Sequence, residues 1–92
     1  MELLTEDEIA ARLAGVPAWT RQGASISCTV TRADFRDALL FVGAVGYLAE
    51  AANHHPDIAI SWNRVSLILA THSAGGLTAA DFDMAERISA LS

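Results

Sequence analysis

The stretch HHPDIAISWNRVSLILATH, residues 54–72, contains every histidine of the chain and two short apolar series. Ile58, Ile60 and Trp62 recur on one parity, Val65, Leu67 and Leu69 on the other, with Asn63-Arg64 between them. Alternation of period two marks half-buried strands, and a two-residue break between two such runs is a hairpin loop. With Asn63-Arg64 as the loop, Trp62 faces Val65, Ile60 faces Leu67 and Ile58 faces Leu69. All the large apolar side chains then share one face, which a slip of one residue would undo. Trp62 is accordingly read as a core aromatic. Carried to the open end, the same register sets His55 opposite His72, with Cβ atoms roughly 4.5–5.5 Å apart and His54 adjacent. Pro56 has no N–H for the ladder, so regular pairing is expected to stop there.

A helix-start pattern flanks this hairpin. Leu4-Thr5-x-x-Glu8-Ile9, Val30-Thr31-x-x-Asp34-Phe35 and Leu77-Thr78-x-x-Asp81-Phe82 each combine an apolar residue, a threonine cap, an acid at the third helical position and an apolar residue at the fourth. This is a capping box with a hydrophobic staple, and it predicts helix starts near 5, 31 and 78. The first helix ends around Ala14-Gly15. The second runs to about Asn53, with Phe35, Leu39, Val42, Gly46 and Ala49 on one stripe and Leu40, Phe41, Ala44, Tyr47, Leu48 and Ala51 on another. One stripe should cover a sheet and the other meet something else. Ser25 to Val30 alternates as a strand, and Gln22-Gly23 is a usable turn between it and Trp19-Thr20-Arg21. The order α-β-β-α-β-β-α predicts an α+β fold: a four-stranded antiparallel sheet with three helices packed on one face.

The chain has 92 residues, 52 % of them hydrophobic and 18 % charged. That suits one domain over residues 1–92, and the low charge content leaves apolar surface for a partner subunit, so a homodimer or homotetramer is expected. A net charge of −5 without a run of Lys or Arg opposes a phosphate backbone, which argues against nucleic-acid binding. The acidic start MELLTEDEIA is unlike a secretion signal, and a cytoplasmic location is expected. Twelve uncharged residues separate Asp37 from Glu50, fewer than the roughly 20 that span a bilayer. No membrane partner is expected. Cys28 has no second cysteine and no cationic neighbour, and is read as core.

Imidazole is the side chain that titrates near neutrality, so three of them at one hairpin mouth suggest a site that moves protons. Zinc is the other reading, because three imidazoles could leave a fourth position open. Neighbouring strand residues point to opposite faces, however, and His54 and His55 could ligate together only from an irregular segment. Beyond His72, Gly75-Gly76 allows a flat ligand close to the main chain, and free amides at the start of the third helix could donate to it. Glu50, near the end of helix two, opposes the helix dipole and could orient an imidazole. Asp81 is a cap, and Asp57 a turn residue.

The segments Glu50-x-x-Asn53-His54-His55-Pro56-Asp57, Trp62-Asn63-x-Val65 and Thr71-His72-x-x-Gly75-Gly76-Leu77-Thr78-x-x-Asp81 closely resemble those of the pterin-4a-carbinolamine dehydratase family. The resemblance implies a dehydratase acting on 4a-hydroxytetrahydropterin, the product left when an aromatic amino acid hydroxylase uses its pterin; loss of water regenerates quinonoid dihydropterin. It implies no metal and no redox cofactor, which favours acid–base histidines over zinc. By position, His54 and His72 match the proton-transferring histidines and His55 the one that holds substrate. Glu50 and Asp81 match acidic positions near the site. Pro56, Thr71, Ser73 and Ala74 match pterin-contacting positions. Elimination needs an acid for the hydroxyl at C4a and a base for the proton on N5, which neighbouring imidazoles can supply. Two positions depart from the family pattern: Ile58 stands where many relatives have Trp, and Asn53 where an acid is frequent. The alternative reading is a non-catalytic binding or dimerisation module on the same fold.

Overall fold

The computed structural model describes residues 1–92. Its elements are α1 (Glu6–Ala14), β1 (Thr20–Gln22), β2 (Ser25–Thr31), α2 (Phe35–Ala52), β3 (Asp57–Ser61), β4 (Arg64–Leu69), a 3-10 turn (His72–Ala74) and α3 (Ala79–Ser89). The four strands form one antiparallel sheet in the order β1-β2-β4-β3. This is the expected α+β architecture, with β4 inside the sheet and β3 at its edge.

Alternation along β2 and β4 turns Ile26, Cys28, Val65, Leu67 and Leu69 to the same side, where they join Ile9, Phe41, Val45, Phe82, Met84 and Ile88 from the helices in one buried cluster. Each fully buried Leu, Ile or Phe side chain contributes about 1.5–3 kcal/mol relative to exposure, so this layer is the main stabilising term. Cys28 is part of it, and burial pushes its thiol above the ordinary range. Trp19 is buried against the same cluster and donates its indole N–H to Ser89 Oγ at 3.2 Å.

Two helix starts stand where the sequence predicts. Thr5 and Glu8 exchange both bonds of a capping box, at 2.8 and 3.2 Å. Thr78 caps α3, with Asp81 reaching back to its N–H at 2.9 Å. The second start does not stand at 31. Thr31 pairs with Arg64 in the β2–β4 ladder, so it is strand, and Asp34 caps α2 by accepting Asp37 N–H at 2.7 Å. The buried stripe of α2 is Ala38, Phe41, Val45 and Ala49, drawn from neither expected stripe alone. Phe35, Leu39, Leu40 and Tyr47 are left exposed, an outward apolar side for the helix.

Both hairpin loops are displaced from their expected places. The first is Gly23-Ala24, closed by Gln22 opposite Ser25, with Gly23 in the left-handed region at φ 58°. The second is Trp62-Asn63, closed by Ser61 opposite Arg64. Ile60 therefore faces Val65 and Ile58 faces Leu67, two residues out of the expected register. A shift of two preserves parity, so Ile58 and Ile60 keep the side of Val65 and Leu67 with different partners, Ile58 remaining exposed on the edge strand. The cause is Asn63: its carbonyl accepts Arg32 N–H at 2.7 Å and its side chain donates to Arg32 O at 3.1 Å. Held in that way, Asn63 does not take the left-handed position, and Trp62 takes it instead at φ 53°. Trp62 is an exposed loop residue, not a core aromatic.

Candidate active site

The chain leaves α2 through Asn53, whose left-handed conformation (φ 49°, ψ 44°) caps the helix and turns the next residues back across its end. Asparagine tolerates that region better than most side chains. Residues 54–56 lie outside any strand, so His54 and His55 escape the alternation that would set neighbouring residues on opposite faces. His54 Nε2 lies 2.6 Å from Asp81 Oδ1 in α3. His55 Nε2 lies 2.5 Å from Glu50 Oε2 in the last turn of α2. The first pair is largely enclosed and the second stands in solvent. Glu50 thus has the imidazole-orienting position its unfavourable place at the helix end suggests.

Asp81 has no exposed surface. Its carboxylate oxygens receive His54, the Thr71 hydroxyl at 2.8 Å and the Thr78 N–H at 2.9 Å. Thr71 Oγ1 is also 2.8 Å from Thr78 Oγ1. A backbone N–H can only donate, so the carboxylate acts here as an acceptor. The Nε2–H form of His54 is the neutral tautomer that donates to such an acceptor, and it leaves Nδ1 for exchange. Every buried side-chain polar atom in the protein has a partner. Asp81, an acidic position near the site in the sequence reading, is fully buried behind the His54 ring and the Thr71 hydroxyl that bond to it.

His72 is exposed at the start of the 3-10 turn. The β3–β4 ladder ends at Asp57 opposite Ile68, and the expected opposition of His55 and His72 does not form, because the two-residue shift carries His72 past that point. All three histidines still lie at the same end of the sheet, where β3 begins and β4 finishes. The segment from 71 to 76 closes on itself: Thr71 N–H donates to Gly76 O at 3.1 Å, and Gly75 turns the chain at φ 77°. Beside it opens a cavity of about 460 Å³ lined by Gln22, Ala24, Ser25, Ala70, Thr71, His72, Gly75 and Gly76. His72 borders it; His54 and His55 do not. Ser73 is exposed, Ala74 half-buried and Pro56 buried. The sequence assigns Gln22, Ala24 and Ser25 no place in the site, since their approach depends on β2 pairing with β4 (Ile26 opposite Leu69) rather than on any local pattern. No three His, Cys, Asp or Glu side chains converge as a metal-holding group, and no helix is long and apolar enough to cross a membrane.

The fold and these groups define a class: a small α+β protein with histidine–carboxylate pairs and a glycine-lined cavity gathered at one end of an antiparallel sheet. The chain belongs to the pterin 4 alpha carbinolamine dehydratase family, whose sequence pattern matches residues 2–91. It is 52 % identical over 86 residues to a protein from Roseiflexus castenholzii, covering 94 % of this chain and 92 % of the relative. It is 49 % identical over 90 residues to one from Nocardia farcinica, covering 98 % and 95 %. Both carry the name "Putative pterin-4-alpha-carbinolamine dehydratase". Among solved structures, that of a transcriptional coactivator/pterin dehydratase from Brucella melitensis superposes with a TM-score of 0.92 at 33 % identity over 96 % of each chain. A pterin dehydratase-like protein described as a RuBisCO assembly factor in the alpha-carboxysome shares the fold, with a TM-score of 0.65 at 20 % identity over 79 % of this chain and 84 % of that one.

Proposed function

We propose that this protein eliminates water from 4a-hydroxytetrahydropterin to give quinonoid dihydropterin, recycling the pterin cofactor of aromatic amino acid hydroxylases. The observation that carries the reading is the enclosed His54–Asp81 pair, set at the same end of the sheet as His72 in a chain of this family. One of the two imidazoles takes the proton from N5 as the other protonates the C4a hydroxyl. The C4a–O electron pair leaves with water, and the N5 pair closes the C4a=N5 bond. For His54 the exchanging atom is Nδ1. His55, braced by Glu50, holds the substrate, and the backbone from Thr71 through Ser73 and Ala74, with Pro56, frames the flat ring beside the cavity. Protons and water are all that move, so the reaction as written calls for neither metal nor redox cofactor. Positioned proton transfer contributes about 10²- to 10⁴-fold, in keeping with a carbinolamine that already dehydrates unaided.

We assign the protein to the cytoplasm and to a homodimer or homotetramer, the latter supported by the exposed Phe35, Leu39, Leu40 and Tyr47 of α2. The test is turnover. Quinonoid dihydropterin formation from 4a-hydroxytetrahydropterin generated in situ is followed with the wild type and with His54→Ala, His55→Ala and His72→Ala. Acceleration by the wild type that His54→Ala and His72→Ala abolish supports the reading. A wild-type rate equal to the spontaneous one overturns it and leaves a binding module on the same fold.

A further inference from the structure

Thr71 stands between the two histidines assigned to proton transfer: its neighbour in sequence is His72, and its hydroxyl touches the carboxylate that holds His54. We propose that Thr71 is a positioning residue, whose hydroxyl fixes the carboxylate of Asp81 and through it the tautomer of His54, while its backbone anchors the loop that carries His72. The kinetic part of this proposal rests on the dehydratase reading; the part concerning His54 does not.

Thr71 Oγ1 has one hydrogen and two oxygen neighbours at 2.8 Å, Asp81 Oδ2 and Thr78 Oγ1. The Thr71 hydrogen goes to Asp81 Oδ2, and the Thr78 hydroxyl faces two acceptors, Thr71 Oγ1 and Met1 Sδ at 2.9 Å. The Thr71 hydroxyl thus ends on Oδ2, where the Thr78 N–H also arrives. Both donors on Oδ2 leave Oδ1 to accept from His54 Nε2. All four side chains are enclosed or nearly so, and water does not compete for these bonds. The backbone of Thr71 is fixed as firmly: its N–H donates to Gly76 O, and its carbonyl accepts from Ala74 and Gly75 N–H at 3.0 Å. One residue thus couples the ring of His54 to the turn that begins at His72.

The first measurement is the long-range ¹⁵N–¹H correlation spectrum of the wild-type imidazoles. Neutral His54 is expected in the Nε2–H form, and an Nδ1–H form would overturn the proposal whether or not any variant folds. Next, Thr71→Val keeps the shape and removes the hydroxyl, whereas Thr71→Ser keeps the hydroxyl. Expected for Thr71→Val is a mixture of His54 tautomers, a kcat lower by about 10- to 100-fold, the factor a hydrogen bond to a charged group carries, with KM unchanged, and a displaced pH profile. Thr71→Ser is expected to restore all three. Wild-type His54 nitrogen shifts in Thr71→Val, or a Thr71→Ser variant as impaired as Thr71→Val, would overturn the assignment. Should the wild type have no dehydratase activity, the proposed function fails and the nitrogen spectra still decide this one.

Discussion

His54 Nε2 lies 2.6 Å from the Oδ1 of Asp81, an aspartate with no exposed surface that accepts two further hydrogen bonds. Every group facing that carboxylate is a donor. Asp81→Asn replaces a charged acceptor by an amide and turns its NH₂ towards His54, whose ring must then take the Nδ1–H form to accept it. The expected loss is about 1–3 kcal/mol of unfolding free energy, read by urea denaturation. Dehydratase turnover is expected to fall by about 10²-fold or more, since His54 is then held in the wrong tautomer for exchange at Nδ1.

The Glu50–His55 pair should behave differently although its separation is as short. Both side chains are more than half exposed, at 79 % and 54 %, and solvent screens such a pair. Glu50→Gln and His55→Ala are each expected to change unfolding free energy by less than about 1 kcal/mol. Their effect should appear in KM for the pterin, measured by initial rates across substrate concentration.

Acid stability has an identifiable contributor in Asp37. The Ala33 N–H and the Arg32 guanidinium hold its carboxyl below the usual carboxylate value. A group depressed in the folded state stabilises fully above its unfolded pKa, and that contribution disappears as pH falls through the folded value. In urea titrations, Asp37→Asn should therefore lie below wild type at pH 7. The two midpoints should converge as the pH is lowered through the range where Asp37 protonates.

Trp62 occupies the left-handed region at φ 53° while remaining mostly exposed. A bulky side chain there stores about 1 kcal/mol or more of backbone strain, and asparagine relieves part of it. Trp62→Asn is expected to raise the thermal midpoint, measured by calorimetry, provided the same hairpin register is kept.

Leu40 and Tyr47 are exposed at 64 % and 75 % on the outward side of α2. Analytical ultracentrifugation of the wild type is expected to show a dimer or tetramer, and Leu40→Lys a lighter species. A wild-type chain sedimenting as a monomer would exclude the proposed assembly.

Element types were readable because each is written locally. Capping boxes at Thr5 and Thr78 and alternation along β2 and β4 act over a few residues, and the α-β-β-α-β-β-α order follows from them. Registers were not readable, since they depend on contacts across the chain. Asn63 looks like a loop residue of the usual kind until Arg32, far away in sequence, claims both its carbonyl and its amide. The same holds for α2, where Thr31 carries a cap signature but the β2–β4 ladder takes it first. At the site, the histidines and their acids stand out as residue types. That Asp81 serves His54 is legible only once α2 and α3 lie side by side, whereas Glu50 and His55, five residues apart at the end of α2, are within reach of a local reading.

That arrangement ties two consecutive rings to two different helices, His54 to α3 and His55 to α2. Their spacing is a gauge of how those helices seat against each other. Any repacking at the seam, even by a substitution such as Phe82→Leu beneath the first turn of α3, is transmitted directly to the distance between neighbouring imidazoles. Activity in this protein should consequently degrade before the fold does, with the paired histidines reporting misalignment that a melting curve overlooks.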